Sequence, residues 1–186
     1  TLFKLGVAYQ AMGKDEWALE AYRLAEEMYP DMAKPRVNRG VILMNRGDLE
    51  AAATAFREAL SIDHSLPQAH GNLGWVLFKT GSVPEGLEHI QKAVELEPDD
   101  LIMRKRLAYL HLRTADFVVA ERVFQYLREA RPRDLSSMLF LAEIYIQTKR
   151  RAKAKSLLCT AARMMGEDGL QRLSWEIRNQ KKQPVD

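Results

Sequence analysis

The chain has 186 residues, of which 47% are hydrophobic and 28% are charged, and its net charge is +3. This composition is typical of a folded domain with a sizeable core and excludes a disordered polymer. The single cysteine, Cys159, excludes an intrachain disulfide. No apolar run is long enough to span a bilayer, and no signal peptide is visible. Because the chain opens at Thr1 inside a helical pattern, we expect it to be a segment of a longer protein.

A spacing of 34 residues recurs along the chain. It links five small residues, namely Gly6, Gly40, Gly74, Ala108 and Ala142. Parallel columns begin at Ala18, Tyr22, Ala25 and Pro30. Small residues let two helices cross closely, one large apolar residue fills the space beside them, and proline stands where a helix stops. The columns therefore predict five tandem copies of one helical unit.

Each copy also has a break near its middle. The breaks fall at Gly13, Gly47, Gly81, Ala115 and Lys149. Glycine is suited to end the first helix, and Asp48 or Ser82 is suited to cap the second. The pattern predicts one helical hairpin per copy, in the ranges of about 1–32, 33–66, 67–100, 101–134 and 135–168.

The end of the chain departs from the repeat. Leu170, Leu173 and Ile177 lie three and four residues apart, with polar residues on the opposite face. This spacing predicts a capping helix over about 168–180, and we expect 181–186 to be a disordered tail. Residues 1–180 are then expected to form a single domain.

These columns resemble the tetratricopeptide repeat family. The residues that match in the first copy are Leu5, Gly6, Tyr9, Gly13, Ala18, Tyr22, Ala25 and Pro30, and those in the third are Leu73, Gly74, Gly81, Ala93 and Pro98. The resemblance implies an all-α, right-handed superhelical solenoid of five helical hairpins plus a C-terminal capping helix. It also implies that the first helix of each copy lines a concave groove.

The residues assigned to this groove are mostly apolar, with Trp75, Phe78 and Tyr109 near its centre. Contiguous apolar patches usually mark interaction sites, and aromatic residues often dominate binding energy. The remaining predicted contacts are Asn38, Val41, Met44, Asn45, Asn72, Lys79, Lys105, Arg106, Leu112, Arg113 and Glu143. One alternative is that these side chains pack against neighbouring helices, and another is that missing parts of the parent protein fill the groove.

Two ligand classes known in the family can be compared with the sequence. Asn38 and Asn72 occupy equivalent positions, where stacked asparagines in some members grip the backbone of an extended peptide. The carboxylate clamp that holds chaperone C-termini matches only at Asn72 and Arg106, and it fails at Val37, Val41 and Ile102. We therefore do not predict that the chain binds chaperone tails.

The sequence lacks a recognisable catalytic or metal-binding motif. None of its four histidines pairs with another ligand at metal-site spacing, and Cys159 is expected to pack between helices. The basic run Lys149–Lys155 is interpreted as a solvated turn and helix face, so nucleic acid is not an expected partner. We expect no cofactor and no enzymatic activity.

The sequence thus favours a scaffold or adaptor that binds a peptide or helix of a protein partner in the groove. One alternative is a regulatory or substrate-docking module of a larger enzyme, such as a glycosyltransferase, and another is a secretion-type chaperone. Self-association through the uncapped N-terminal helices is a further hypothesis. A single cysteine favours the cytoplasm, with an envelope-associated complex as the alternative.

Overall fold

The computed structural model describes the backbone of residues 1–180 and the side chains of residues 1–166. Over this backbone the chain forms ten helices and no strand. The helices that open each pair are α1 (Leu2–Ala11), α3 (Ala33–Asn45), α5 (Pro67–Lys79), α7 (Leu101–Arg113) and α9 (Leu135–Gln147). The helices that close each pair are α2 (Asp15–Met28), α4 (Leu49–Ile62), α6 (Val83–Leu96), α8 (Phe117–Ala130) and α10 (Arg151–Gln180). The predicted all-α fold of paired helices is confirmed.

The turn inside each pair contains one residue in the left-handed region. These residues are Gly13, Gly47, Gly81, Ala115 and Lys149, with φ between 60° and 93°. They are the five positions at which the sequence predicted a break. Asp48 and Asp116 then each accept a hydrogen bond from the backbone N–H three residues later, which caps α4 and α8. Ser82 occupies the N-cap position of α6, as predicted, but its side chain makes no such bond.

The repeated small residues lie where the two helices of a pair approach closely. A Cβ atom on Gly74 would lie 2.5 Å from the carbonyl oxygen of Gly86 and 2.7 Å from Cγ1 of Ile90. A Cβ on Gly40 would lie 2.7 Å from the ring of Phe56. The column of Gly40 and Gly74 and the column of Phe56 and Ile90 thus pack against each other. As the sequence suggested, one residue must be small where its partner is large.

Residues of the chain form two compact units, Thr1–Leu110 and His111–Asp186. In the first unit, Tyr22, Phe56, Leu73 and Ile90 are fully buried between successive helices. In the second unit, Phe124, Leu141 and Ile144 play the same part among the residues whose side chains are described.

The last helix is interrupted at Gly166, where φ is 70° and ψ is −176°. Backbone beyond this point is helical as far as Gln180. The apolar face proposed for residues 168–180 and the disordered tail proposed for 181–186 lie outside the described side chains and backbone, respectively. Cys159 is exposed, so the expectation that it packs between helices is wrong.

Candidate functional site

Three aromatic side chains of the first unit form one cluster. Trp75 and Phe78 project from α5, and Tyr109 projects from α7. Their ring centroids are 5.7 Å apart for Trp75 and Phe78, 5.8 Å for Trp75 and Tyr109, and 5.9 Å for Phe78 and Tyr109. All three rings are only half-buried. The structure therefore brings together the three residues that the sequence placed at the centre of the groove, and we call them the aromatic cluster.

Two cations lie beside the aromatic cluster. The guanidinium of Arg106 is 5.5 Å from the centroid of the Trp75 ring, and the ammonium of Lys79 is 5.4 Å from it. Both distances are within the range of cation–π attraction. The half-buried ring of Trp75 thus has two cations as well as two aromatic rings beside it.

Arg106 is held in place by hydrogen bonds. Its Nη1 donates to the side-chain oxygen of Asn72 at 2.9 Å and to the carbonyl oxygen of Gly71 at 3.3 Å. Burial lowers the pKa of this guanidinium, partly offset by the carboxylate of Asp100. The Asp100 carboxylate is itself engaged at the start of α7, where it accepts from the N–H groups of Ile102 and Met103. Neutral acceptors therefore position the guanidinium beside the Trp75 ring.

Asn38 and Asn72, the two asparagines at equivalent repeat positions, both form hydrogen bonds within the chain. Asn72 is buried and accepts from Arg106. Asn38 donates through Nδ2 to the hydroxyl oxygen of Tyr22 at 3.0 Å, and that hydroxyl donates to Gln10 at 2.8 Å. Each amide thus has a structural partner, which sequence position alone did not indicate.

An open pocket of about 370 Å³ lies elsewhere in the first unit. Its lining comprises Phe3, Lys34, Val37, Asn38, Leu66, Pro67, Gln68 and Glu97. One of these residues, Asn38, is among the contacts that the sequence assigned to the groove. The pocket mixes apolar and charged groups, unlike the aromatic cluster.

Other predicted contacts have different surroundings. Val41 and Met44 are half-buried against the core of the first unit, Asn45 is exposed, and Lys105 is half-buried. In the second unit, Leu112 is only 4% exposed, so the prediction that it is a surface contact is wrong. Arg113 and Glu143 form an ion pair with each other.

Sequence reasoning missed one side-chain pair altogether. His70 on α5 and His89 on α6 meet with their Nδ1 atoms 2.9 Å apart. They are 19 residues apart in the chain, so no local spacing rule could have paired them.

Comparison with protein families places most of the chain in one group. A model described as TPR repeat matches residues 40–81, and two models described as Tetratricopeptide repeat match residues 1–31 and 105–163. Within residues 1–180, no helix combines the length and the hydropathy that crossing a lipid bilayer requires.

Individual relatives agree with the family matches. The chain is 33% identical over 91 residues to Small glutamine-rich tetratricopeptide repeat-containing protein 2 of Mycosarcoma maydis, which is 49% of this chain but only 26% of that relative. Among solved structures, YrrB superposes with a TM-score of 0.80 at 20% identity, covering 94% of this chain and 90% of YrrB. MamA superposes with a TM-score of 0.78 at 15% identity, covering 89% of this chain and 96% of MamA.

The helical pairs, their packing at the small-residue columns and the family matches along the chain lead to the same conclusion. The chain belongs to the tetratricopeptide repeat family.

Proposed function

We propose that this chain is a protein-interaction scaffold that binds a peptide or helix of a partner protein at the aromatic cluster. Tetratricopeptide repeats are typically non-enzymatic protein-interaction modules. The observation that carries the proposal is that Trp75, Phe78 and Tyr109 contact one another yet remain half-exposed. Large aromatic rings gain most from further burial and are common energetic centres of interfaces.

The partner segment would present an apolar or aromatic side chain to this cluster. Such a side chain would complete the burial of Trp75 and Tyr109, which the fold itself leaves unfinished. Burying an aromatic side chain contributes about 2 kcal/mol, which is about a quarter of the roughly 8 kcal/mol of a micromolar affinity.

A carboxylate beside the apolar anchor would complement the charge. Arg106 is partly desolvated and lies next to the half-buried ring of Trp75, and Lys79 lies over the same ring. Charge-assisted hydrogen bonds to a guanidinium are stronger than neutral ones, and they strengthen as water is excluded. We therefore infer a partner segment in which an aspartate or glutamate flanks a bulky apolar residue.

One structural neighbour supports a peptide ligand in general terms. YrrB is described as a TPR protein with an unusual peptide-binding site. Because YrrB has the same fold at 20% identity, it supports the class of ligand and not the residues that bind it.

The proposal can be tested by selecting binders from a random peptide display library with the purified chain. We expect the selected peptides to be enriched in a bulky apolar residue next to Asp or Glu. The double variant Trp75→Ala and Tyr109→Ala should bind the selected peptides about thirty-fold more weakly, because each ring is a central anchor. Circular dichroism would verify that its helices are intact.

A matched substitution provides the control. Trp17 is 63% exposed and contacts Tyr9, so Trp17→Ala removes the same side chain away from the aromatic cluster and should leave binding unchanged. Arg106→Gln should reduce the preference for acidic peptides about ten-fold while keeping the preference for an apolar residue. Equal binding by the double variant and the native chain would contradict the proposal.

A further inference from the structure

The pair His70 and His89 lies outside the aromatic cluster and is not used by the proposed function. The rings belong to the two helices of one hairpin, α5 and α6, and both are half-buried. Their centroids are 5.1 Å apart with an interplanar angle of 34°, and their Nδ1 atoms are 2.9 Å apart. Two potential metal ligands thus lie within hydrogen-bond distance of each other on two packed helices.

The hydrogen-bond pattern fixes the tautomer of each ring. Nε2 of His70 lies 3.0 Å from the backbone carbonyl oxygen of His64. A carbonyl can only accept, so in the neutral ring Nε2 carries the hydrogen and Nδ1 of His70 holds a lone pair. His89 must then donate through its own Nδ1–H. His70 is therefore already prepared as an Nδ1 ligand, with its other nitrogen held by a backbone carbonyl.

We propose that His70 and His89 form a binding site for one divalent late transition-metal ion, which both rings ligate through Nδ1. Metal-bound histidines usually donate their second ring N–H to a carboxylate or a backbone carbonyl, as His70 does here. On binding, the hydrogen of His89 moves from Nδ1 to Nε2 through solvent, so the ring stays neutral and no redox change occurs.

The chemistry of the two nitrogens favours particular ions. The 2.9 Å between the Nδ1 atoms is the length of a hydrogen bond, so both rings must turn to direct their lone pairs at one ion. The affinity of nitrogen ligands for divalent first-row metals generally rises from Mn²⁺ to Cu²⁺ and falls again at Zn²⁺. The site should therefore bind Cu²⁺ more tightly than Ni²⁺ or Zn²⁺.

The surrounding charges are compatible with a bound cation. Glu85 and Glu88 on α6 and Arg57 on α4 are the charged side chains that act on His89. Arg57 opposes a cation, but its guanidinium is paired with Glu85 at 3.2 Å. No group of three or more His, Cys, Asp or Glu side chains in the described part of the chain is arranged as a metal site. Water molecules would therefore complete the coordination of the ion.

The test is titration of the tag-free chain with CuCl₂, NiCl₂ and ZnCl₂ by isothermal calorimetry. We expect one strong site per chain for Cu²⁺ and weaker binding of Ni²⁺ and Zn²⁺. In nuclear magnetic resonance spectra, the paramagnetic ions should broaden the ring signals of His70 and His89 first. This second measurement uses the native chain, so it does not depend on the folding of any variant.

Substitutions distinguish metal binding at this histidine pair from metal binding at other side chains of the surface. His70→Gln or His89→Gln should weaken binding by about ten-fold or more, as loss of a metal-site contact does. His64→Gln should leave binding unchanged, because His64 takes part through its backbone carbonyl. The proposal is overturned if the native chain shows no one-to-one binding, if both variants bind as the native chain does, or if His64→Gln alone abolishes binding.

Discussion

At the scale of single residues, repeated positions have internal partners that depend on the neighbouring helices. Asn38 and Asn72 are equivalent in the repeat, yet Asn38 bonds to Tyr22 and Asn72 bonds to Arg106. Tyr22 is itself buried, and burial raises the pKa of its hydroxyl. The same amide therefore stabilises a core tyrosine in one copy and positions a surface arginine in another.

The small-residue column makes a prediction about a single methyl group. In Gly74→Ala, the added Cβ would meet the backbone oxygen of Gly86 at 2.5 Å, so α5 and α6 must move apart. We expect the free energy of unfolding to fall by about 1–3 kcal/mol, as overpacked cores do. Urea denaturation followed by circular dichroism would measure the change.

The control is the same substitution one turn earlier on the same helix. In Gly71→Ala, the added Cβ would meet the end of the Met103 side chain, which is flexible and can move aside. Helix propensity favours alanine over glycine by about 1 kcal/mol, so Gly71→Ala should be neutral or stabilising. Equal losses in the two variants would show that backbone crowding at Gly74 is not the cause.

At the scale of helices, an ion pair links α8 to the turn before α10. Arg150 donates through Nη1 and Nη2 to the two carboxylate oxygens of Glu121, at 2.9 and 2.6 Å. Its guanidinium also lies 4.6 Å from the centroid of the Tyr145 ring on α9. Three successive helices of the second unit are thus tied together by one arginine.

This pair predicts a dependence of stability on pH. The hydrogen bonds from Arg150 hold the pKa of Glu121 below its usual value of 4.5. A carboxylate with a lowered pKa stabilises the folded state fully above that usual value, and the contribution is lost as pH falls through the lowered pKa. We expect Glu121→Gln to lower the free energy of unfolding by about 1 kcal/mol at neutral pH. Below about pH 4.5, the free energies of unfolding of the variant and of the native chain should become more similar. Thermal unfolding at several pH values would measure this.

A surface pair offers the comparison. Glu95 bonds to Lys92 at 3.3 Å, and both side chains are more than half exposed. Since exposed pairs contribute little, Glu95→Gln should change the unfolding free energy by less than about 0.5 kcal/mol. If Glu121→Gln lost no more stability than Glu95→Gln, the bridge between α8 and α10 would have no special role.

At the scale of the whole molecule, each unit has its own core. Repeat proteins are stabilised mainly by contacts between neighbouring repeats, so a core defect acts locally. Ile90 in the first unit and Ile144 in the second are both fully buried. Ile90→Val and Ile144→Val should each cost about 1 kcal/mol, which lowers hydrogen-exchange protection about five-fold.

Mass-resolved hydrogen exchange would show where that protection is lost. We expect Ile90→Val to act mainly on peptides from residues 1–110 and Ile144→Val mainly on peptides from 111 onward. A uniform loss along the chain in both variants would show instead that the chain unfolds as one cooperative body.

The sequence by itself determined the helical pairs and the turns within them. Gly6, Gly40 and Gly74 stand in register with large apolar residues sixteen positions later, and this packing requirement is visible in one dimension. The breaks at Ala115 and Lys149 were also predictable, because they stand at the positions where other copies have glycine. The three aromatic residues could be grouped for the same reason, since equivalent positions of successive first helices share one face.

Only the tertiary structure decided which of the predicted side chains are exposed enough to contact a partner. Leu112 satisfies the same spacing rule as Phe78 but is buried. The pairing of Arg106 with Asn72, of Arg150 with Glu121 and of His70 with His89 joins residues 34, 29 and 19 positions apart. Such contacts depend on how helices cross and on which rotamers fit between them. The spacing of residues along the chain predicts neither. The aromatic cluster thus follows from the repeat, whereas its charge and the histidine pair follow from the packing.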